Sequence, residues 1–218
     1  MSDIYKKTVL CFGDSNTYGF NPENHGRYDE EIRWTGRLQR LLGEEYKVVE
    51  EGCNGRTTVF ADPADPWKMG KPYLKPCLNT HKPVSIVIMM LGTNDLKKCY
   101  NASAEDIASG VEELINEIYE FADSKQLFRP KVIVVSPPLL GENADTVQTP
   151  SNFDKSAVER SGQLAALYRS LADRYGCLYY DAAVRSKVSE TDQVHLSAEG
   201  HRNLAEGLYE VVKQCDCQ

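Results

Sequence analysis

The sequence has no apolar run near the about 20 residues that a membrane-spanning helix needs. It also lacks an excess of positive charge, since 25 lysine and arginine residues stand against 32 aspartate and glutamate residues. A net charge of −7 disfavours a nucleic-acid surface, which requires clustered positive side chains. We therefore expect a protein that binds neither nucleic acid nor a membrane.

The seven cysteines lack metal-site or redox spacing, because no two of them form a C-x-x-C motif. The odd count favours reduced thiols, and only Cys215 and Cys217 lie close together in the sequence. Zinc binding and disulfides are the alternatives. The apolar run Thr8–Phe12 is too short for a secretory leader, and no small-residue cleavage site follows it. These features predict a cytoplasmic protein without a metal or another cofactor.

The 218 residues, of which 41% are hydrophobic and 26% charged, suit one globular domain over residues 1–218. Short β-rich runs alternate with helical patterns, which predicts an α/β fold with a central parallel sheet of about five strands and helices on both faces. The run Ser85–Leu91 is apolar throughout, as is typical of a strand covered on both faces. The other four predicted strands are Thr8–Phe12, Tyr46–Val49, Val132–Ser136 and Leu178–Asp181.

Apolar residues at three- and four-residue steps predict helices between these strands. Ser103 is a suitable N-cap for one of them, Gly176 ends another, and the last begins near Ser197. A further helix is marked by Trp34, Leu38, Leu41 and Leu42. Residues 56–83 and 137–160 are predicted as two long loops that roof a pocket or form an interface.

Ligands of an open parallel sheet bind beyond the carboxyl ends of its strands, so the segments that follow the strands are the candidate site. Ser15 follows the first strand and is the candidate nucleophile, although a helix N-cap is the simpler explanation for a lone serine there. The segment matches neither a phosphate-binding glycine loop nor the G-x-S-x-G elbow.

His195 is the candidate base for Ser15, because Asp192 precedes it by three residues near the same edge of the sheet. A carboxylate in that place can fix the imidazole tautomer and stabilise the imidazolium. His25, His81 and His201 have no such partner in the sequence and are interpreted as surface or core residues.

Three groups could stabilise the oxyanion of a tetrahedral intermediate: the side chain of Asn94 and the backbone N–H groups of Gly55 and Ser15. Plain turn geometry is an equally good explanation of Gly55 alone.

Taken together, these segments resemble the SGNH hydrolases, also called GDSL esterases and lipases. The matching blocks, in the family's order, are Gly13-Asp14-Ser15, Gly55, Gly92-x-Asn94-Asp95 and Asp192-x-x-His195. Flanking residues are similar to the arylesterase/acyltransferase-like branch, notably Arg33-Trp34-Thr35-Gly36 and Arg56-Thr57-Thr58. The resemblance implies a flavodoxin-like three-layer α/β/α sandwich.

By the same resemblance, Ser15, Asp192 and His195 would form the catalytic triad, and Ser15, Gly55 and Asn94 the oxyanion hole. We prefer Gly55 to Gly52 because it directly precedes Arg-Thr-Thr, as the oxyanion position does in the branch that the sequence resembles. Asn16 departs from the leucine of the GDSL motif, a difference expected to affect packing beside the nucleophile and therefore the substrate.

The predicted function is a serine esterase that hydrolyses small acetyl or aryl esters through an acyl-enzyme, with acyl transfer to alcohols as an additional reaction. One alternative is a carbohydrate acetylesterase with the same triad, for which Trp67, Tyr73 and Tyr100 would offer stacking faces. The remaining alternatives are a non-catalytic flavodoxin-like binding module and a metal hydrolase that uses Asp14, Asp192 and His195. The two long loops weakly indicate a homo-oligomer.

Overall fold

Five parallel strands form the central sheet of the protein, whose computed structural model describes residues 6–62, 64–147 and 151–216. The strands of this sheet are β1 (Lys7–Gly13), β4 (Tyr46–Gly52), β5 (Ile86–Met90), β6 (Lys131–Ser136) and β7 (Leu178–Asp181), whereas β2 (Phe20–Asn21) and β3 (Gly26–Arg27) form a separate antiparallel pair. The helices are α1 (Ser15–Tyr18), α2 (Trp34–Leu42), α3 (Gly70–His81), α4 (Ala104–Lys125), α5 (Lys155–Tyr175) and α6 (Ala198–Cys215). The sheet order β4-β1-β5-β6-β7 is that of flavodoxin-like folds, which confirms the predicted fold class.

Alternate residues of the strands face two separate apolar cores. In β1, Leu10 and Phe12 pack with buried side chains of α3, α4 and α5, whereas Val9 and Cys11 pack with those of α2 and α6. All five residues of β5 are buried, in agreement with its apolar sequence. The sheet is therefore the middle layer of three, and its carboxyl-terminal edge stays available for a site.

The helix boundaries follow the signals in the sequence. Ser103 caps α4 in a reciprocal capping box with Asp106, Ser197 caps α6, and α5 ends at Gly176 with a φ of 64°. Of the four apolar residues that predict α2, Trp34, Leu38 and Leu42 are buried, whereas Leu41 is 44% exposed and lies outside the core.

The prediction of a loop over residues 56–83 was wrong for its second half, where α3 spans Gly70–His81. Pro76 lies inside this helix, and proline in a helix interior usually argues against one. Burial of Leu74, Cys77 and Leu78 along one face offsets the lost hydrogen bond. The second predicted loop is shorter than 137–160, since α5 begins at Lys155.

The six cysteines among the described residues are free, and Cys217 lies outside the described residues. Among those residues, no helix has both the length and the apolar character that crossing a bilayer requires.

Candidate active site

Ser15 opens the short helix α1 directly after β1 and is 5% exposed. Asp14 caps this helix, since its Oδ1 accepts a hydrogen bond of 2.9 Å from the backbone N–H of Asn16. At Gly13 a Cβ would lie 2.8 Å from the carbonyl oxygen of Met90, so only glycine allows this tight turn. The turn places the serine hydroxyl at the carboxyl edge of the sheet.

The structure brings Ser15, His195 and Asp192 together in one chain of hydrogen bonds. His195 Nε2 lies 2.8 Å from Ser15 Oγ, and His195 Nδ1 lies 2.5 Å from Asp192 Oδ2. The other oxygen, Asp192 Oδ1, accepts the backbone N–H groups of Val194 at 3.0 Å and of His195 at 2.9 Å. Burial alone would raise the pKa of Asp192, but the bonds from His195 and Val194 hold it below its ordinary value. Asp192 is thus kept ionised and can orient the imidazole toward Ser15.

Asn16 connects the serine turn to the histidine loop, a role that the sequence did not indicate. Its Oδ1 accepts the backbone N–H of Leu196 at 2.8 Å, and its Nδ2 donates to the carbonyl of Val194 at 3.4 Å. The indole N–H of Trp34 donates to the carbonyl of Asn16 at 3.1 Å. Asn16 is 1% exposed, so these bonds are shielded from water. The residue therefore joins the two chain segments that carry Ser15 and His195.

Gly55 and Asn94 line the same cavity as Ser15, whereas Gly52 does not. Gly55 has a φ of 81°, the left-handed region that favours glycine. Asn94 Nδ2 donates to the carbonyl of Arg56 at 3.1 Å and still has its second N–H available. At Gly52 a Cβ would lie 2.0 Å from the backbone nitrogen of Tyr18, so this glycine serves the packing of α1.

Arg56 fixes the loop that carries Gly55. It is 4% exposed, and its Nη1 donates to the carbonyl of Gly13 at 3.0 Å and to that of Glu51. Its guanidinium also lies over the rings of Phe12, at 4.4 Å, and Tyr73, at 4.9 Å. The sequence showed this arginine only as part of a motif, because its contacts are made by distant segments.

Two carboxyl groups beside the site are fully buried. Burial raises the pKa of Asp14 to about 6, against the opposing effects of the Asn16 N–H and of His195. Burial likewise raises the pKa of Asp95 to about 6, although Thr58 donates to Asp95 Oδ1 through its N–H at 2.8 Å and its hydroxyl at 2.5 Å. Asp95 thereby holds the Thr58 segment against the loop that contains Asn94.

The cavity above Ser15 has a volume of about 190 Å³. Its apolar wall consists of Phe20, Phe153 and Val194, and the ring of Phe20 lies 4.4 Å from the His195 ring. The remaining lining residues are polar or glycine: Asn54, Gly55, Asn94, Lys97, Asn152, Asp192 and His195. A cavity of this size and composition suits a small ester.

Within the described part of the chain, one group of side chains could hold a metal ion: Glu51, Cys77 and His81, whose donor atoms all lie within 4.8 Å of one another. Burial, followed by the charge of Glu51, raises the pKa of the Cys77 thiol to about 12. None of the three lines the Ser15 cavity. The set Asp14, Asp192 and His195, considered from the sequence, does not form such a group.

The sequence of residues 11–202 matches the model of the GDSL-like lipase/acylhydrolase family. The chain belongs to this family. A carbohydrate acetylesterase family member from Sinorhizobium meliloti is 37% identical, with a TM-score of 0.90, and the match covers 96% of this chain and 98% of that one. The inhibitor-bound aryl esterase of M. smegmatis is 34% identical, with a TM-score of 0.88 over 96% of this chain and 99% of that one.

More distant solved structures show a shared fold alone. The lipase/acylhydrolase of Enterococcus faecalis is 18% identical, with a TM-score of 0.68 over 95% of this chain and 96% of that one. No curated protein matches the chain. The family and the solved esterases show that this GDSL-like hydrolase is a carboxylic ester hydrolase, which confirms the enzyme class predicted from the sequence.

Proposed function

We propose that the GDSL-like hydrolase cleaves small acetyl and aryl esters through an acyl-enzyme formed on Ser15. The observation that carries this proposal is the hydrogen-bonded chain from Ser15 Oγ through His195 to Asp192. A serine alcohol is a weak nucleophile, and a neighbouring base that accepts its proton is what activates it. The aryl esterase of M. smegmatis, at 34% identity, supports the choice of ester.

In the proposed reaction, Ser15 Oγ attacks the ester carbonyl while His195 Nε2 takes its proton. The N–H groups of Ser15 and Gly55 and the side chain of Asn94 stabilise the oxyanion. His195 then protonates the leaving alcohol, and the acyl group stays on Ser15. Water, deprotonated by His195, attacks the acyl-enzyme and releases the acid. Asp192 keeps Nδ1 protonated throughout.

Acyl transfer to alcohols is a further part of the proposal. Phe20, Phe153 and Val194 form an apolar wall beside Ser15, where an alcohol can compete with water for the acyl-enzyme. Product analysis in mixtures of water and ethanol tests this point. We expect the ethyl ester to form a larger fraction of the products than the mole fraction of ethanol in the solvent. Absence of the ethyl ester contradicts acyl transfer.

Acetylated sugars are the second candidate substrates. Asn54, Asn94 and Asn152 give the cavity polar groups that can bind hydroxyls, and the S. meliloti relative is a carbohydrate acetylesterase family member. Stacking on aromatic faces has less support. Trp67 is 65% exposed, Tyr73 and Tyr100 bond to Glu51 and Asp62, and none of the three aromatic residues lines the cavity.

The deciding experiment is a hydrolysis screen with p-nitrophenyl esters of rising acyl length and with acetylated xylose. Ser15→Ala should leave only residual turnover and should abolish labelling by a fluorophosphonate probe. The matched control is Ser161→Ala, because Ser161 is also 5% exposed and its hydroxyl donates within α5, to the carbonyl of Val158. Full turnover by Ser15→Ala would refute the proposal. Absence of labelling in the wild-type protein would instead favour the non-catalytic binding module.

The proposal also includes one domain over residues 1–218, a cytoplasmic location and assembly into a homo-oligomer. The domain is supported by relatives that cover 96% of this chain in a single match. The free cysteines among the described residues suit a reducing compartment. Light scattering on the purified protein measures the assembly, and a monomeric mass at micromolar concentration contradicts the oligomer.

A further inference from the structure

Lys97 lies at the end of the short turn that carries Asn94 and faces the Ser15 cavity. Its backbone N–H donates to the carbonyl of Asn94 at 3.1 Å, which closes the turn. The next residue, Lys98, is exposed, and its N–H donates to the carbonyl of Asn152 at 3.0 Å. These bonds hold Lys97 between the proposed oxyanion residue Asn94 and the cavity residues Asn152 and Phe153.

Lys97 differs from the other half-buried lysines of the described chain in its lack of a carboxylate partner among the described residues. Four such lysines pair with carboxylates at 2.5 to 2.7 Å: Lys68 with Asp65, Lys71 with Glu113, Lys75 with Glu117 and Glu120, and Lys213 with Asp216. Lys97 is half-buried as well, yet no ion pair with a described residue involves it. Partial burial of a charge is unfavourable unless a counter-charge compensates it, so this cation has capacity for a ligand.

Charged groups of both signs act on Lys97 from a distance. Asp14 and Asp62 attract its ammonium from a distance, whereas Lys68 repels it. Lys68 also covers Gly55, because its Cδ lies 3.0 Å from the position that a Cβ on Gly55 would occupy. Burial, followed by Lys68, lowers the pKa of Lys97 from its ordinary value, a cost that a bound anion would offset.

The other lining residues include hydrogen-bond donors for an anion and a single carboxylate. Asp192 is the only carboxylate among the described residues that line the cavity, and both of its oxygens already accept hydrogen bonds. Asn54 and Asn152 can add amide N–H donors beside the ammonium. An anionic group in the cavity would therefore meet donors and a cation.

We propose that Lys97 binds a carboxylate carried by the ester substrate, so that the enzyme prefers anionic esters to neutral esters of the same shape. This inference rests on the proposed function, since it concerns the cavity above Ser15. The cavity of about 190 Å³ restricts the carboxylate to a small acyl or alcohol group. Lys97 is thereby a specificity-determining residue with no part in the proton transfers.

Two matched pairs of esters test the proposal. The pair 4-acetoxybenzoate and 4-acetoxybenzamide places the charge on the alcohol side, and monophenyl glutarate and its monoamide place it on the acyl side. Spontaneous hydrolysis is subtracted in each case. The value to measure is the ratio of kcat/KM for the anionic ester to kcat/KM for the neutral one, in the wild type and in Lys97→Met, Lys97→Arg and Lys98→Met.

The wild type should favour the anionic member of at least one pair, and Lys97→Met should reduce that ratio by about 10-fold or more, mainly through KM. Lys97→Arg should retain most of the preference because it keeps the charge. Lys98→Met, next in the chain but exposed, should leave the ratio unchanged. The preference should also weaken with added salt.

A wild-type ratio near one for both pairs overturns the proposal, as does a ratio that survives Lys97→Met in a folded protein. Neither result contradicts the proposed esterase function if the neutral esters are hydrolysed and Ser15 is labelled by a fluorophosphonate. Loss of all turnover in the wild type with every ester, together with no labelling, refutes the esterase itself.

Discussion

The side-chain oxygen of Asn16 accepts the backbone N–H of Leu196 at 2.8 Å, across 180 positions of the chain. The bond lies one residue from Ser15 at one end and one residue from His195 at the other. It fixes the distance between the two groups that exchange a proton in the proposed mechanism. We therefore expect Asn16, which departs from the GDSL motif, to act as a positioning residue.

Replacement of Asn16 should affect both stability and rate. Asn16→Ala leaves the Leu196 N–H buried without a partner, which should lower the free energy of unfolding by about 1–3 kcal/mol. It should also lower kcat more than it raises KM, because the His195 loop is no longer held against the serine turn. Urea unfolding and p-nitrophenyl acetate kinetics measure the two effects.

Asn203→Ala is the control for this change, since Asn203 also donates from its side chain to a backbone carbonyl, that of Arg185, but at the surface. Asn203→Ala should change the free energy of unfolding by no more than about 0.5 kcal/mol and should leave kcat unchanged. An unaltered kcat in folded Asn16→Ala would contradict the positioning role.

Asp192→Asn should reduce kcat by a factor on the order of 10⁴ while the fold is retained. The asparagine oxygen can still accept the N–H groups of Val194 and His195, so its NH₂ group must face His195 Nδ1. The imidazole then carries its proton on Nε2 and cannot accept the Ser15 proton. Asp181→Asn, which changes a strand-end carboxylate that caps a short helical turn, should leave kcat unchanged. Similar kcat values for the two variants would exclude the orienting role of Asp192.

Asn94→Ala should lower kcat by about 10²–10³-fold, which is about 2.7–4 kcal/mol of transition-state stabilisation. KM should change little, since the oxyanion exists only along the reaction path. The loss of the bond to the Arg56 carbonyl adds a small destabilisation, so thermal unfolding must accompany the kinetics. Full kcat in a folded variant would show that Asn94 is not an oxyanion donor.

The buried Asp95 should make stability depend on pH. Its pKa is about 6 in the folded protein, above its ordinary value of 3.8, so the folded state holds the proton more tightly than the unfolded chain. The stability that this provides is complete below about pH 4 and is lost as the pH rises to about 6. Relative to Asp95→Asn, the wild type should lose roughly 3 kcal/mol between these limits.

Urea unfolding of both proteins over this pH range gives the difference. Asp123→Asn is the control, because Arg129 holds the pKa of the exposed Asp123 below its ordinary value. Relative to Asp123→Asn, the wild type should therefore gain stability as the pH rises, and by a smaller amount. A difference between wild type and Asp95→Asn that does not vary with pH would contradict the raised pKa.

The fold was predictable because the strands are short apolar runs and the helices have clear periodicity and caps. Helix α3 was missed, since its prolines outweigh a stripe of three buried side chains that only the core explains. The placement of Ser15, Asp192 and His195 followed from the rule that functional groups gather beyond the strand ends. The bonds of Asn16 and the position of the Lys97 ammonium, which has no ion pair among the described residues, were not predictable, because each depends on segments that folding alone brings together.

The hydrogen bond between Ser15 and His195 joins positions 180 residues apart, and four of the five strands of the sheet lie between them in the sequence. On the ribosome, the serine turn emerges long before its partner histidine has been translated. Nascent chains and products of premature termination thus carry Ser15 without His195. In the proposed mechanism, hydrolysis by this pair therefore requires β7 and the loop that carries Asp192 and His195 to have been synthesised and docked.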